Sequence, residues 1–259
     1  MLSTVEKTII EKIPIISLPV HHLGFRQSLE IVIDWAEKRR PSYVCFANVH
    51  MTMEAYKDRA FLEQVCQADL VLADGKPIAM AFGLLHHVKQ ERIAGMDFLP
   101  RVLELADEKK ISVFLYGSAP DVQESFRKRI ASRYPGVHFA GAVSPPFRQL
   151  SIEEEMEFIE SIKQSGAQIV FVALGCPRQE KWMADNYKKI NAVLLGIGGA
   201  VPVLAGKYKR APRWMQNLSL EWFYRMLQQP RRLFKRYIFT NMYFLLLLTR
   251  EWLKKRVKK

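Results

Sequence analysis

The sequence predicts a doubly wound, Rossmann-like α/β layer, a parallel sheet with helices on both faces, followed by a basic helical C-terminal appendage. Three observations carry this. From residue 27 onward amphipathic segments alternate with short apolar ones, the rhythm of helices and strands in a βαβ chain. Runs such as IVFVAL and AVLLGI have no polar side, which fits parallel strands covered on both faces. Near Val201 the strand pattern stops and the charge changes character.

Taken in order, residues 27–38 set Leu29, Val32, Ile33 and Ala36 at helical spacing, and 43–47 reads as the strand that follows. Residues 51–67 read as helix, and 70–72 as a short buried strand ending at Asp74-Gly75. The alternation continues with helix 98–109, strand 112–116, helix 121–133, strand 137–140, helix 152–163, strand 169–174, helix 179–189 and strand 192–197. Beyond Arg210 the reading is two or three helices punctuated by Pro212 and Pro230.

The formal net charge of +13 is unevenly placed. From residue 207 to 259 fifteen Lys/Arg face two acids, Glu221 and Glu251, so residues 1–206 are neutral. Residues 1–206 therefore read as a Rossmann-like domain and 207–259 as a basic amphipathic appendage that meets something anionic. On a helical wheel from Arg231, the bases Arg231, Arg232, Lys235 and Arg236 share one arc and Leu233, Phe234, Tyr237 and Ile238 the other, with Phe239 out of place. That division predicts an interfacial helical lid, whose removal with the rest of 207–259 would leave a soluble, folded body with little activity. A docked helix with a solvated basic face is the plainer alternative.

The longest apolar run, 237–249, falls short of the roughly 20 residues that a spanning helix needs. The N-terminal MLSTVEKTIIEK lacks the basic and apolar regions of a signal peptide, and Cys45, Cys66 and Cys176 show no metal or disulfide spacing. The expected location is the cytoplasmic face of a membrane, peripheral to it. The histidines form no HxxxH pair and the chain has no Asp-x-Asp, so no metal site is expected. GIGGAV has Val201 where a dinucleotide fingerprint has its third glycine, which disfavours NAD and leaves no cofactor predicted. No nucleic-acid motif accompanies the basic tail, so nucleic acid is not expected as a partner.

In doubly wound sheets ligands bind beyond the carboxyl ends of the strands. Five such ends stand out: FANVH, LADG, YGSAPD, ALGCPRQEKW and GIGGA. Asp74 is a carboxylate at such an end, able to take a proton from a hydroxyl or simply to close an Asp-Gly turn. Asn48 is placed to hydrogen-bond a sugar or to end a strand. Gly117 and Ser118 form a small turn before a helix that offers N–H groups to a phosphate, and Gly198 and Gly199, at the last strand end, are further substrate-binding candidates. Arg178, Gln179 and Lys181 surround a helix start that suits an anionic or sugar ligand, or is an ordinary capped helix.

The segments FANVHMTMEA, ADLVLADGKPIAMA, ERIAGMDFL, VFLYGSAP, VFVALGCPRQEKW, LGIGGAVPVLAG and KRAPRWMQNLSLEWFYRMLQQPRRLFKRY together resemble the WecG/TagA/CpsF family of glycosyltransferases, in the same order from about residue 12 to 240. The resemblance implies an inverting, metal-independent transfer of a hexosyl or N-acetylhexosaminyl group. It runs from a UDP-sugar to an undecaprenyl-diphosphate-linked saccharide, for exopolysaccharide, capsule or teichoic acid. It implies Asp74 as general base, and Asn48, Arg92 and Gln179 as donor or acceptor contacts. It implies Arg210, Arg213, Arg225 and Arg232 as arginines of the appendage that meet diphosphate. One departure is Phe46, where several relatives have threonine; a hydroxyl contact is missing there, and FANVHM is more similar to the exopolysaccharide branch. The expected partners are a UDP-sugar donor, a polyprenyl-diphosphate-linked acceptor and an anionic membrane surface, with homo-oligomers left open. The rival reading is a basic membrane- or nucleic-acid-binding protein on a Rossmann-like fold without this activity.

Overall fold

Six strands, every neighbouring pair parallel, form the predicted sheet in the order β4-β3-β8-β7-β5-β6. The computed structural model describes residues 10–218 and 220–257, apart from the side chains of Asn217, Arg232, Lys235 and Arg236. The strands are β3 (Ser42–Ala47), β4 (Leu70–Ala73), β5 (Ser112–Gly117), β6 (His138–Val143), β7 (Ile169–Ala173) and β8 (Val193–Gly196). A hairpin of β1 (Lys12–Ile15) and β2 (Leu18–His21) precedes them; it lies before the point where the sequence shows a clear alternation.

All six residues of β3 and all four of β8 are buried, so each strand feeds two apolar layers at once. On one face Tyr43, Cys45 and Ala47 meet the hairpin, α2 (Val49–Lys57), α3 (Arg59–Cys66), α4 (Lys76–His86), α7 (Ile152–Gln164) and α8 (Arg178–Asn186). On the other, Val44 and Phe46 meet α1 (Phe25–Glu37), α5 (Gly95–Glu108), α6 (Pro120–Arg133) and α9 (Ala200–Leu204). This is the two-faced burial that an all-parallel sheet requires.

The single helix expected over 51–67 is two. Asp58 is extended (φ −118°, ψ 105°) and its carboxylate accepts from the Phe61 N–H at 3.1 Å, so it caps α3 and ends α2. Aspartate competes with helix continuation by doing just this. Helix α7 starts with a complete capping box, Ser151 and Glu154 bonding each other's backbone.

The described residues of the appendage form three helices, α10 (Arg213–Asn217), α11 (Glu221–Gln228) and the long α12 (Pro230–Val257); Pro212 precedes the first and Pro230 opens the last. The apolar arc read from the sequence does not act as one surface. Leu233, Thr240, Phe244 and Leu247 form a buried stripe, with α12 lying against α2 and α4. Phe234, Ile238, Phe239, Met242, Leu245 and Leu246 stay exposed on the remaining surface. Phe244, 1% exposed, and Leu247 belong to the same apolar cluster as Tyr43 and Val170. Removing the tail would uncover that cluster, so truncation at Lys207 is expected to cost stability as well as activity. Phe244→Ala isolates the effect: a loss of about 3–5 kcal/mol in urea unfolding is expected for a buried phenylalanine. An unchanged midpoint would mean that α12 does not dock there.

Candidate active site

Because the strands are parallel, their carboxyl ends share one edge, and the five sequence segments singled out there surround a single cavity of about 1050 Å³. Asn48, Asp74, Arg92, Gly117, Ser118, Gln179, Gly198, Gly199 and Arg225 all line it. The tail closes it with Glu221, Trp222, Leu233 and Tyr237 among others from α11 and α12.

Asp74 follows the last residue of β4, and its N–H continues the ladder by donating to the Ala47 carbonyl at 2.8 Å. Gly75, at φ +93°, turns the chain from the strand into α4, a conformation open to glycine and costly for other residues. The carboxylate is therefore held in the cavity wall by backbone on both sides. Asn48 caps α2, its Oδ1 accepting from Met51 N–H at 3.1 Å, and its Nδ2 donates to Asp74 Oδ2 at 3.4 Å. Burial pushes the Asp74 pKa up to about 6; Asn48, Arg92 and Arg225 oppose the shift and Glu221 adds to it. A carboxyl that titrates near neutrality and still ionises is suited to accept a proton.

Four charged side chains form a closed ring beside it. Arg92 donates to Asp97 (2.6 Å) and to Glu221 (3.1 Å), while Arg210 pairs with Asp97 and stands 3.6 Å from Glu221. Each carboxylate lies between two guanidiniums. Arg92 and Asp97 come from the body, Arg210 and Glu221 from the tail, so the ring fastens the tail over the cavity. Arg92 and Arg210 thus have their charge balanced by protein carboxylates. Neither Asp97 nor Glu221 was picked out in the sequence, although Asp97 ends the GMD motif and Glu221 is one of two acids in a basic tail.

Arg225 is placed differently: it lies across Gly199, so close that a β-carbon there would collide with the guanidinium. Gly117, at φ +102°, approaches the Ala173 backbone so closely that a β-carbon would stand 2.7 Å from its carbonyl. Ser118 follows in the left-handed region (φ 66°), a conformation found at strained functional turns. Gln179 is buried with its amide engaged: Oε1 accepts from Gly175 N–H, and Nε2 donates to Glu180 (2.7 Å) and to the Gly196 carbonyl (2.8 Å). It ties the ends of β7 and β8 together. Phe46, 3% exposed, packs edge-on against Phe98 (5.2 Å) and gives the cavity an apolar wall.

Arg210 reaches the site through the ring and Arg213 is exposed on α10; neither lines the cavity. The Arg232 side chain lies outside the described residues. Among the described residues no three His, Cys, Asp or Glu come together in a way that could hold a metal ion. No described helix is long and apolar enough to cross a membrane.

Residues 13–258 match the model of the glycosyl transferase WecG/TagA/CpsF family. The chain is 34% identical to the N-acetylglucosaminyldiphosphoundecaprenol N-acetyl-beta-D-mannosaminyltransferase of Bacillus subtilis (strain 168), over 91% of this chain and 93% of the relative. It is 32% identical to the protein of that name from Bacillus spizizenii, over 83% and 84%. The protein of that name from Staphylococcus aureus (strain MW2) is 30% identical over 74% of each chain.

Proposed function

This chain belongs to the WecG/TagA/CpsF family of glycosyl transferases, and on that premise we propose that it moves a sugar from a UDP-sugar onto a polyprenyl-diphosphate-linked saccharide, inverting the anomeric carbon without a metal. The observation that carries the reading is Asp74: a carboxyl raised to about 6 at a strand end, inside the cavity, with Asn48 aimed at one oxygen. The acceptor hydroxyl attacks the anomeric carbon while Asp74 takes its proton, and the bond to UDP breaks with the electron pair going to the diphosphate. Arg225, over Gly199, is the cation nearest to the turn that would cradle that diphosphate. Phe147, exposed beside the cavity with the Arg178 guanidinium 5.8 Å from its ring, offers a platform for the uracil. The relatives' names specify a β-mannosaminyl product on a lipid-diphosphate N-acetylglucosamine, which accords with inversion of an α-configured donor.

The exposed apolar surface of α12, with Arg250, Lys254 and Arg256 near its end, supports attachment to an anionic membrane surface where such an acceptor resides. The deciding assay is UDP release in EDTA with a panel of UDP-sugars, UDP-N-acetylmannosamine first, and a short-chain polyprenyl-diphosphate N-acetylglucosamine. Release with one donor, dependent on acceptor and giving a β-linked product, is expected. No release with any pair would remove the transfer, and an α-linked product would remove the inversion.

A further inference from the structure

Beside the catalytic cavity runs a second groove of about 890 Å³, between α4, the 87–92 segment that follows it, and α10. Its charged lining is of one sign: Lys76, Lys89 and Arg92, with His87, and no aspartate or glutamate among the described lining residues. The main cavity, by contrast, carries Asp74, Glu180 and Glu221. The two spaces are neighbours that share Lys76, Arg92 and Gln216 in their walls. Met80, 63% exposed, gives the groove an apolar wall on the α4 side.

We propose that this groove seats the diphosphate of the lipid-linked acceptor, with Lys76 and Lys89 as its principal cations and Met80 meeting the first units of the polyprenyl chain. The assignment rests on the transfer reaction proposed above. An in-line displacement puts nucleophile and leaving group on opposite sides of the anomeric carbon, so donor and acceptor diphosphates must lie apart. The sheet order supplies that separation. The Gly198-Gly199 turn ends β8, which is two strands from β4, about 10 Å across the sheet. Asp74 follows β4, an edge strand, and the groove opens beyond it along α4. Lys76 follows Asp74 by two residues, at most about 7 Å of chain. A hexose presenting its hydroxyl to Asp74 would carry its phosphate toward Lys76. Arg92, shared with the charge ring, stands at the junction of the two spaces.

The test needs no turnover. Binding of farnesyl diphosphate, farnesol, UDP and phosphatidylglycerol vesicles is measured for the full chain and for Lys89→Glu and His87→Glu, both at exposed positions, with Lys89→Arg as the conservative control. Farnesyl diphosphate is expected to bind at least tenfold more weakly to Lys89→Glu, to recover in Lys89→Arg, and to exceed farnesol in the parent chain, while UDP affinity stays unchanged. In the transfer assay the same variant should raise the acceptor KM at least tenfold with kcat nearly constant. Unchanged farnesyl diphosphate affinity in both Glu variants would overturn the assignment. So would an equal loss of UDP, which would give the cations to the donor, or a loss of vesicle binding alone, which would give them to the membrane surface. Charge-sensitive farnesyl diphosphate binding without any transfer would overturn the proposed reaction and leave the groove as a lipid-diphosphate site.

Discussion

Replacing Asp74 by asparagine is expected to lower kcat by about two to four orders of magnitude, the range for removal of a general base, while donor affinity stays within a few-fold. The amide keeps the shape of the side chain and its reach to Asn48 but cannot take a proton. In the parent enzyme kcat/KM should rise tenfold per pH unit up to about 6 and level off above it, because the base must be ionised. Asn48→Ala removes a hydrogen bond that favours the ionised form, so it should move that limb to higher pH, a shift that a purely structural role would not give. Stability should change in the opposite sense to activity. The folded carboxyl titrates near 6 against an ordinary 3.8, so between those values the folded chain holds a proton that the unfolded chain has lost. The fold therefore loses stability as pH rises through that window, and the loss is complete above it. Asparagine relieves a penalty of roughly 2 kcal/mol, allowing for the solvent that reaches the carboxyl. A higher Tm at pH 8 than at pH 4.5, relative to the parent, is the signature. Undiminished turnover in Asp74→Asn would remove it from the mechanism.

The parts of this fold that the sequence displays are those where one physical cause dominates. Strands β3, β7 and β8 are buried on both faces and read as unbroken apolar runs. Helix α4 gives no helical signal because KPIAMAFGLLH is apolar nearly all round and offers no polar stripe, although Asp74-Gly75 followed by Pro77 in the first turn marks its start. The hairpin β1–β2 is obscured by Pro14 and Pro19, which face each other across it. The break at Asp58 is hidden because apolar spacing runs through it; only the cap reveals it.

The site follows the same logic. Asp74, Asn48 and the glycine turns are legible because strand ends of a parallel sheet converge whatever the loops do. The arginines are not, because sequence shows a charge without its partner. Arg92 is held by Asp97, five residues on, and by Glu221 far along the chain, and Arg210 by the similarly distant Asp97. The wheel over α12 leaves the docked face open for a related reason: a helix can bury one apolar stripe and expose another, and periodicity alone does not tell which faces the body.

Arg225 is the tail arginine whose loss should cut turnover most. If it stabilises charge on the departing UDP, Arg225→Ala should lower kcat by about 10²–10³, the cost of removing one preorganised donor, with little change in Tm. Arg225→Lys should recover only part, since an ammonium cannot pair two phosphate oxygens from one planar fork. Arg210→Ala should act through the ring instead, loosening the tail, so that Tm and KM move before kcat. Gly199 gives an independent handle on the same guanidinium. Its φ of −71° suits any residue, and the atom that a new methyl group would strike is the far end of a flexible side chain. Gly199→Ala should therefore fold normally, displace Arg225 and lower kcat. Because both changes remove one interaction, the double variant should be no slower than Arg225→Ala alone, a non-additivity expected of residues in contact. Strictly additive losses in that cycle would mean that Gly199 and Arg225 act separately, and the clamp would then have to be sought elsewhere on the tail.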